Sequence, residues 1–207
     1  MRPQLEARLR EVHARGLRLD PDRVVYLGED LWRRFCEAVA CVVEQQPRFR
    51  LNTWYRNPKS RVYELIVTEA ANPPLGAWIG ERNDVRTAWL NAHGGTYPVL
   101  WLWVSRVWPA WEHTFNLWQK RGETGYLDAN VAHVPPDPGW LEFMTALEEA
   151  LRAAGIETLR WKERHERVPF VLTEVWSEDG DDDNSECVIG PDHEEAIVAQ
   201  CLFDDYS

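Results

Sequence analysis

The segment 97–104 is apolar at every position, and this restricts the fold more than any other part of the chain. Successive side chains of a β-strand point to opposite faces, so a strand with this sequence buries both of its faces. The next segment, 111–118, alternates apolar residues with Glu112, Thr114 and Asn116. That alternation predicts a strand with one face in water, paired with the first strand as a hairpin. The 97–104 strand is the predicted centre of a sheet.

Helical and strand-like periods alternate along the rest of the chain. Asp137 marks the clearest helix start, because its carboxylate can cap a helix that Pro138 opens, and Gly155 ends that helix. Pro169 predicts an edge position for the strand that contains it. Further predicted helices span 3–15, 30–46, 84–92 and 192–203, the last capped by Asp192, and further predicted strands span 49–55, 62–67 and 168–176. These elements predict an α+β fold with a mainly antiparallel sheet and helices packed against it.

Length and composition predict one domain over residues 1–207. The chain has 44% apolar residues and twelve Trp, which is ample material for a core, and no linker-like stretch divides it.

The first residues are polar and charged, and no window has the apolar length of a membrane span, so we expect a soluble protein without membrane contact. Four scattered cysteines do not make a disulfide framework, which favours the cytoplasm. No oligomeric state is predicted.

Acidic residues are concentrated at the C-terminal end. Residues 174–207 contain twelve Asp or Glu and no Lys or Arg, whereas residues 1–173 carry 23 basic and 22 acidic side chains. The formal net charge of -11 therefore arises in this acidic segment, 174–207, within which we expect an acidic loop at about 177–186. A concentrated negative field attracts cationic partners and repels polyanions. The pattern predicts a basic protein partner and no nucleic acid.

The acidic loop resembles a calcium-binding loop only superficially. Counted from Asp179, alternate positions are acidic, but the sixth position is Asn184, where a glycine is needed. The twelfth position is Gly190, where a bidentate glutamate belongs. The cysteines and histidines also lack the short paired spacings of a zinc site. We therefore predict no metal ion and no other cofactor.

No catalytic signature is recognisable in the sequence. A nucleophile beside a base, a glycine-rich phosphate loop and a histidine pair on one helix face are all missing, so no catalytic residue is assigned. Catalytic groups are often brought together only by the fold. An enzyme in which His113 or His165 acts with nearby carboxylates, such as Glu163 and Glu166, remains an alternative.

The tryptophan content exceeds what a core needs, and tryptophan is enriched where interfaces concentrate their binding energy. Three tryptophans lie at predicted strand ends or beside the acidic loop, which favours them as interface residues over those within predicted helices and the central strand. The predicted partner-binding residues are Trp108, Trp111 and Trp176 together with Asp179, Asp181, Asp182, Asp183 and Glu186.

The segments 169–174 and 201–206, together with the size, charge and aromatic content of the chain, resemble bacterial immunity proteins of polymorphic toxin systems. The resemblance implies a small, acidic, cytoplasmic α+β protein that binds a cognate toxin domain and blocks its active site. We therefore expect a non-enzymatic inhibitor that captures a basic toxin domain through an acidic, aromatic-flanked surface. The alternatives are the enzyme described above and an uncharacterised structural domain.

Overall fold

The computed structural model describes residues 1–13, 27–52, 62–75, 79–121, 125–132, 134–172 and 195–203. Within these ranges the helices are α1 (Pro3–Val12), α2 (Glu29–Gln45), α3 (Ile79–His93), α4 (Pro138–Ala153), α5 (Trp161–Arg164) and α6 (Val198–Phe203). The strands are β1 (Phe49–Asn52), β2 (Val62–Glu69), β3 (Thr96–Ser105), β4 (Ala110–Arg121), β5 (Gly125–Ala132), β6 (Glu157–Thr158), β7 (Arg167–Leu172) and β8 (Glu195–Ile197). The predicted α+β fold class is confirmed.

The main sheet has the strand order β1-β2-β3-β4-β5, and all neighbouring strands in it are antiparallel. The predicted central strand is confirmed, because β3 lies between β2 and β4 over nearly its whole length. Both predicted hairpins, β1–β2 and β3–β4, are present. The short β6 runs parallel to the start of β4, on the edge that β5 follows farther along.

One face of the sheet forms the main core with α2 and α4. The stripe of apolar residues on α2 is buried against alternate residues of β2, β3 and β4. Phe143, Leu147 and Leu151 of α4 are buried in the same core, whereas Leu141 is 56% exposed. Aromatic rings fill the end of this core near β1, where the ring of Phe49 lies 4.5 Å from those of Trp140 and Phe143. Ring pairs of this kind stabilise a core beyond their buried area.

The opposite face of β4 is not in water, and the prediction of a wet face was wrong. Helix α3 begins at Ile79, before the predicted start at 84, and it packs against β3 and β4. Thr114 is only 5% exposed on that face, and Leu90 of α3 is buried beside Val99 of β3. The polar residues of β4 therefore lie in a covered layer.

The predicted start and end of α4 are confirmed. The carboxylate of Asp137 accepts a hydrogen bond from the backbone N–H of Trp140, at 3.1 Å, and Pro138 occupies the first turn. Gly155 adopts a φ of 73°, a left-handed conformation that glycine allows without strain. Arg48 also binds Asp137, which joins the start of α4 to the start of β1.

A second hydrophobic cluster is separate from the main core. Strands β7 and β8 pair as a separate two-stranded sheet, and α1 and α6 contribute the buried residues Leu5, Leu9, Cys201 and Leu202 to it. The predicted helix at 192–203 was therefore wrong in its first part, because residues 195–197 form β8 and only 198–203 are helical. The predicted cap, Asp192, lies outside the described residues.

Candidate functional site

The structure fixes the two ends of the most acidic part of the chain. Leu172 ends β7 and Glu195 begins β8, and their Cα atoms are register partners. The residues between them, 173–194, lie outside the described residues. This stretch, here called the β7–β8 connection, contains nine of the twelve carboxylates of the acidic segment. Its two ends are therefore attached to the fold at one place.

The second hydrophobic cluster holds this attachment point. Val168 and Val171 of β7 and Ala196 of β8 are fully buried against α1 and α6. His13, at the end of α1, is also buried, and its Nε2 lies 3.0 Å from the carbonyl oxygen of Cys201 in α6. The base of the β7–β8 connection is consequently part of a packed unit.

Six of the eight predicted partner-binding residues fall in the β7–β8 connection and outside the described residues. They are Trp176, Asp179, Asp181, Asp182, Asp183 and Glu186. Their assignment to a binding surface remains a prediction. The other two, Trp108 and Trp111, have different positions in the structure.

Trp108 lies half-buried at the rim of the second cluster. Its indole N–H donates to Glu157 at 2.5 Å, and the guanidinium of Arg2 binds both oxygens of the same carboxylate at 2.7 Å. Burial raises the pKa of Glu157, but the hydrogen bonds from Arg2 and Trp108 outweigh it, and the pKa is lowered from its ordinary value. Trp108 is thus held in place and keeps part of its ring surface accessible.

Trp111 lies in the main core and is 4% exposed. Its ring is 5.5 Å from that of His113, on the face of β4 that α2 and α4 cover. In this position the ring presents no surface to a partner. Trp111 therefore acts as a core residue here, and only Trp108 among the described candidates lies at a surface.

Arginines of the N-terminal helices are paired with carboxylates of their own helices. Arg10 binds Glu6, and Arg33 and Arg34 both bind Asp30. These pairs are largely exposed and each stabilises its helix only slightly. They matter because these three arginines already have carboxylate partners outside the acidic segment.

A pocket of about 690 Å³ lies beside α1 and α5, and it brings together the histidine and carboxylates of the alternative acid–base site. Glu163 is bound to the Arg2 guanidinium at 3.1 Å, and Glu166 is bound to the N-terminal amine. Both carboxylates therefore take part in ion pairs that hold α1 on α5. The pocket, here called the N-terminal pocket, is lined by Met1, Arg2, Pro3, Lys162, Glu163, His165 and Glu166.

The layer between α3 and the sheet contains polar groups that the sequence analysis did not assign to a site. The buried Arg82 and Arg86, one helical turn apart on α3, lie over the rings of Trp101 and Trp118 at 5.6 and 4.3 Å from the ring centroids. The signal in the sequence was the i, i+4 arginine pair followed by a tryptophan-rich strand. It was missed because nothing local indicates that α3 folds over that face.

No metal site is formed by the described part of the chain, where no group of three or more His, Cys, Asp or Glu is arranged around one point. None of the described helices is long and apolar enough to cross a membrane.

Comparison with protein-family models, with curated proteins and with solved structures finds no match for this chain.

Proposed function

We propose that this chain is a protein-binding module of the immunity type, which captures a basic toxin domain in the cytoplasm through the β7–β8 connection. The observation that carries the proposal is the common attachment of both ends of this nine-carboxylate stretch at Leu172 and Glu195. Trp108, at the rim of the same cluster, is the predicted partner-binding residue that is half-buried there, and we assign it to the border of the contact.

The common attachment limits how far the carboxylates can lie from the base of the β7–β8 connection. A chain of 22 residues whose ends meet extends at most about 40 Å from its base, since one extended residue spans about 3.5 Å. Nine negative charges and no positive charge share this volume. At physiological salt the Debye length is about 8 Å, so neighbouring carboxylates add to one field, while distant charges are screened.

The pairing of the N-terminal arginines also supports the proposal. A basic patch on α1 and α2 that docked onto the acidic segment would leave little field for a partner. Arg10 and Arg33 instead bind Glu6 and Asp30 on their own helices. These two arginines therefore have carboxylate partners outside the β7–β8 connection.

Complementary charge acts mainly on the rate of encounter, and buried aromatic contacts act mainly on the lifetime of a complex. We expect the β7–β8 connection to steer a cationic toxin domain and Trp108 to slow its dissociation. A toxin blocked in this way has its basic active-site surface covered.

The test is capture of a toxin domain encoded beside this chain, with growth of cells that express the toxin as the readout. The wild-type chain should protect the cells, and purified proteins should form a complex. A variant with Asp179, Asp181, Asp182 and Asp183 all changed to Asn should protect less well. Equal protection by wild type and variant would contradict the proposed surface, and no complex at all would contradict the proposed function.

A second candidate function is acid–base catalysis at the N-terminal pocket, and one observation favours it. His165 lines the same pocket as Glu163 and Glu166. Turnover of an ester or phosphoester substrate that is lost in the His165→Gln variant, with protection from the toxin unchanged, would establish this function instead. The ion pairs of both carboxylates favour a structural role for the pocket.

A further inference from the structure

One aromatic ring at the rim of the second hydrophobic cluster already holds a guanidinium group. Phe170 of β7 is half-buried there, and the guanidinium carbon of Arg10 of α1 lies 3.9 Å from the centroid of its ring. The same guanidinium donates from Nε and from Nη2 to one carboxylate oxygen of Glu6, at 3.0 and 2.7 Å. Arg10 is therefore held by a ring face and a carboxylate at once. These three residues are here called the Phe170 site.

The position of Phe170 depends on an irregularity in β7. Because the register partners of Val168 and Leu172 are consecutive residues of β8, the three residues of β7 between them form a bulge. Pro169 has no N–H to donate to a neighbouring strand, and a bulge re-aims the side chains of the strand that contains it. Val168 and Val171 are fully buried, whereas the ring of Phe170 lies at the rim against α1.

The Phe170 site lies beside the base of the β7–β8 connection. Phe170 is two positions before Leu172, the last residue of β7, and the nine carboxylates of the connection follow. A concentrated negative charge steers cations toward the region that carries it. A cationic partner that approaches the connection therefore meets the Phe170 site next to the point of attachment.

The contacts of Arg10 can be exchanged for those of another cation. Its side chain is 55% exposed, and that of Glu6 is 39% exposed. An exposed ion pair on a helix and an exposed cation–π contact are both weak, because water solvates and screens the charges. Arg10 can turn into solvent at little cost, and it then leaves a ring face and a carboxylate for another guanidinium.

The other rim aromatic has a similar arrangement that is fixed more firmly. The guanidinium of Arg2 lies 5.8 Å from the ring centroid of Trp108, and it binds both carboxylate oxygens of Glu157 and also Glu163. Trp108 donates to the same Glu157. Displacement of Arg2 would break all of these contacts, so the exchangeable position is the one at Phe170.

We propose that the Phe170 site binds an arginine side chain of a cationic protein partner, in exchange for Arg10. The inference rests on the proposed function for the cationic nature of that partner. The partner's guanidinium stacks on the ring of Phe170 and donates to the carboxylate of Glu6. Lysine fits this site less well, because its ammonium is a compact, strongly hydrated charge without a flat face. The β7–β8 connection attracts either cation, and the Phe170 site prefers arginine.

Titration of the purified chain with a peptide of six arginines and a peptide of six lysines tests this proposal. The two peptides carry the same charge, so the ratio of their dissociation constants reports on the guanidinium group and not on attraction to the acidic segment. We expect the arginine peptide to bind at least threefold more tightly than the lysine peptide. Phe170→Leu keeps an apolar side chain and removes the ring, so it should at least halve this ratio and leave the affinity for the lysine peptide unchanged. Equal affinity of wild type for the two peptides, an unchanged ratio in Phe170→Leu, or no binding of either peptide would overturn the proposal.

A matched pair of variants tests the exchange with Arg10. Arg10→Ala vacates the ring and releases Glu6, and Arg152→Ala releases Glu148 from the same kind of i, i+4 ion pair on α4. Both substitutions remove one positive charge, so both strengthen the binding of any cationic peptide. Only Arg10→Ala should also raise the preference for the arginine peptide, by about threefold. An equal preference in the two variants would overturn the exchange. A preference that responds as expected, together with no capture of a toxin domain, would support the Phe170 site and contradict the proposed function.

Discussion

Leu172 and Glu195 are register partners in the β7–β8 pair, so the two ends of the β7–β8 connection lie at one position. The stretch between them in the sequence contains nine carboxylates, and its two ends are anchored in a packed cluster of α1, α6 and the two strands. Negative charge concentrated in one region produces an uneven electric field, which steers a cationic partner to that region. A uniformly acidic surface does not produce such a field. The predictions below test the packing, the electrostatics and the proposed surface separately.

Removal of the α4 cap should destabilise the fold. Asp137→Ala loses the cap to the Trp140 N–H and the ion pair with Arg48, and we expect a loss of about 1–2 kcal/mol in the free energy of unfolding. Asp137→Asn keeps a capping oxygen and loses the charge, so it should cost less than half as much. Urea denaturation of both variants measures the difference, and equal losses would mean that the ion pair, not the cap, matters.

The stabilisation by Glu157 should depend on pH. Its folded pKa is lowered below the ordinary value of 4.5, so its contribution is fully present above about pH 4.5 and is lost as the pH falls through the folded pKa. Glu157→Gln, which weakens the contacts to Arg2 and Trp108, should cost about 1 kcal/mol at pH 7. The difference in stability between wild type and variant should shrink as the pH falls from 4.5 through the folded pKa. A difference that is constant over this pH range would contradict the assignment.

Trp108 and Trp111 should respond differently to truncation. Trp111→Ala empties a core position and should cost about 3–5 kcal/mol in the free energy of unfolding. Trp108→Ala, at the rim, should cost about 1–2 kcal/mol and should increase the dissociation rate of the toxin complex. Denaturation and surface plasmon resonance measure the two effects. A stable Trp111→Ala variant would show that the main core is packed differently from the structure described above.

The two cysteines of α2, five positions apart on the same helix, should differ in reactivity. Cys41 is exposed, whereas burial raises the pKa of Cys36 to about 11, with a smaller contribution from Glu37. The thiolate is the reactive form. Iodoacetamide labelling at pH 8, mapped by mass spectrometry, should modify Cys41 well before Cys36. Labelling of Cys36 should accelerate as the pH rises toward 11, and equal rates at pH 8 would contradict the burial of this thiol.

Local patterns were sufficient to predict the central strand and the best-marked helix. The apolar run at 97–104 predicts a strand with both faces buried. The strand β3 occupies this position in the sheet. The Asp-Pro start and the Gly155 stop of α4 satisfy backbone groups within a few residues, so they depend little on the rest of the fold.

Long-range placement could not be predicted from the same patterns. The polar alternation of β4 indicates a wet face, yet α3 covers it with Arg82 and Arg86 as well as with Leu90. Residues 195–197 continue a helical pattern, yet the pairing with β7 holds them as a strand. In both cases a tertiary contact overrides a local preference. The acidic segment was evident from charge alone, whereas its attachment at Leu172 and Glu195 required the structure.

The association rate of the toxin complex, measured by stopped flow as a function of salt, tests the central claim most directly. The wild-type rate constant should fall steeply as salt increases, because the β7–β8 connection steers the partner. With Asp179, Asp181, Asp182 and Asp183 changed to Asn, the low-salt rate should fall by about tenfold and its salt dependence should flatten, with the free energy of unfolding unchanged. Identical rates and salt dependence in wild type and variant would contradict the claim that this stretch of carboxylates binds the partner.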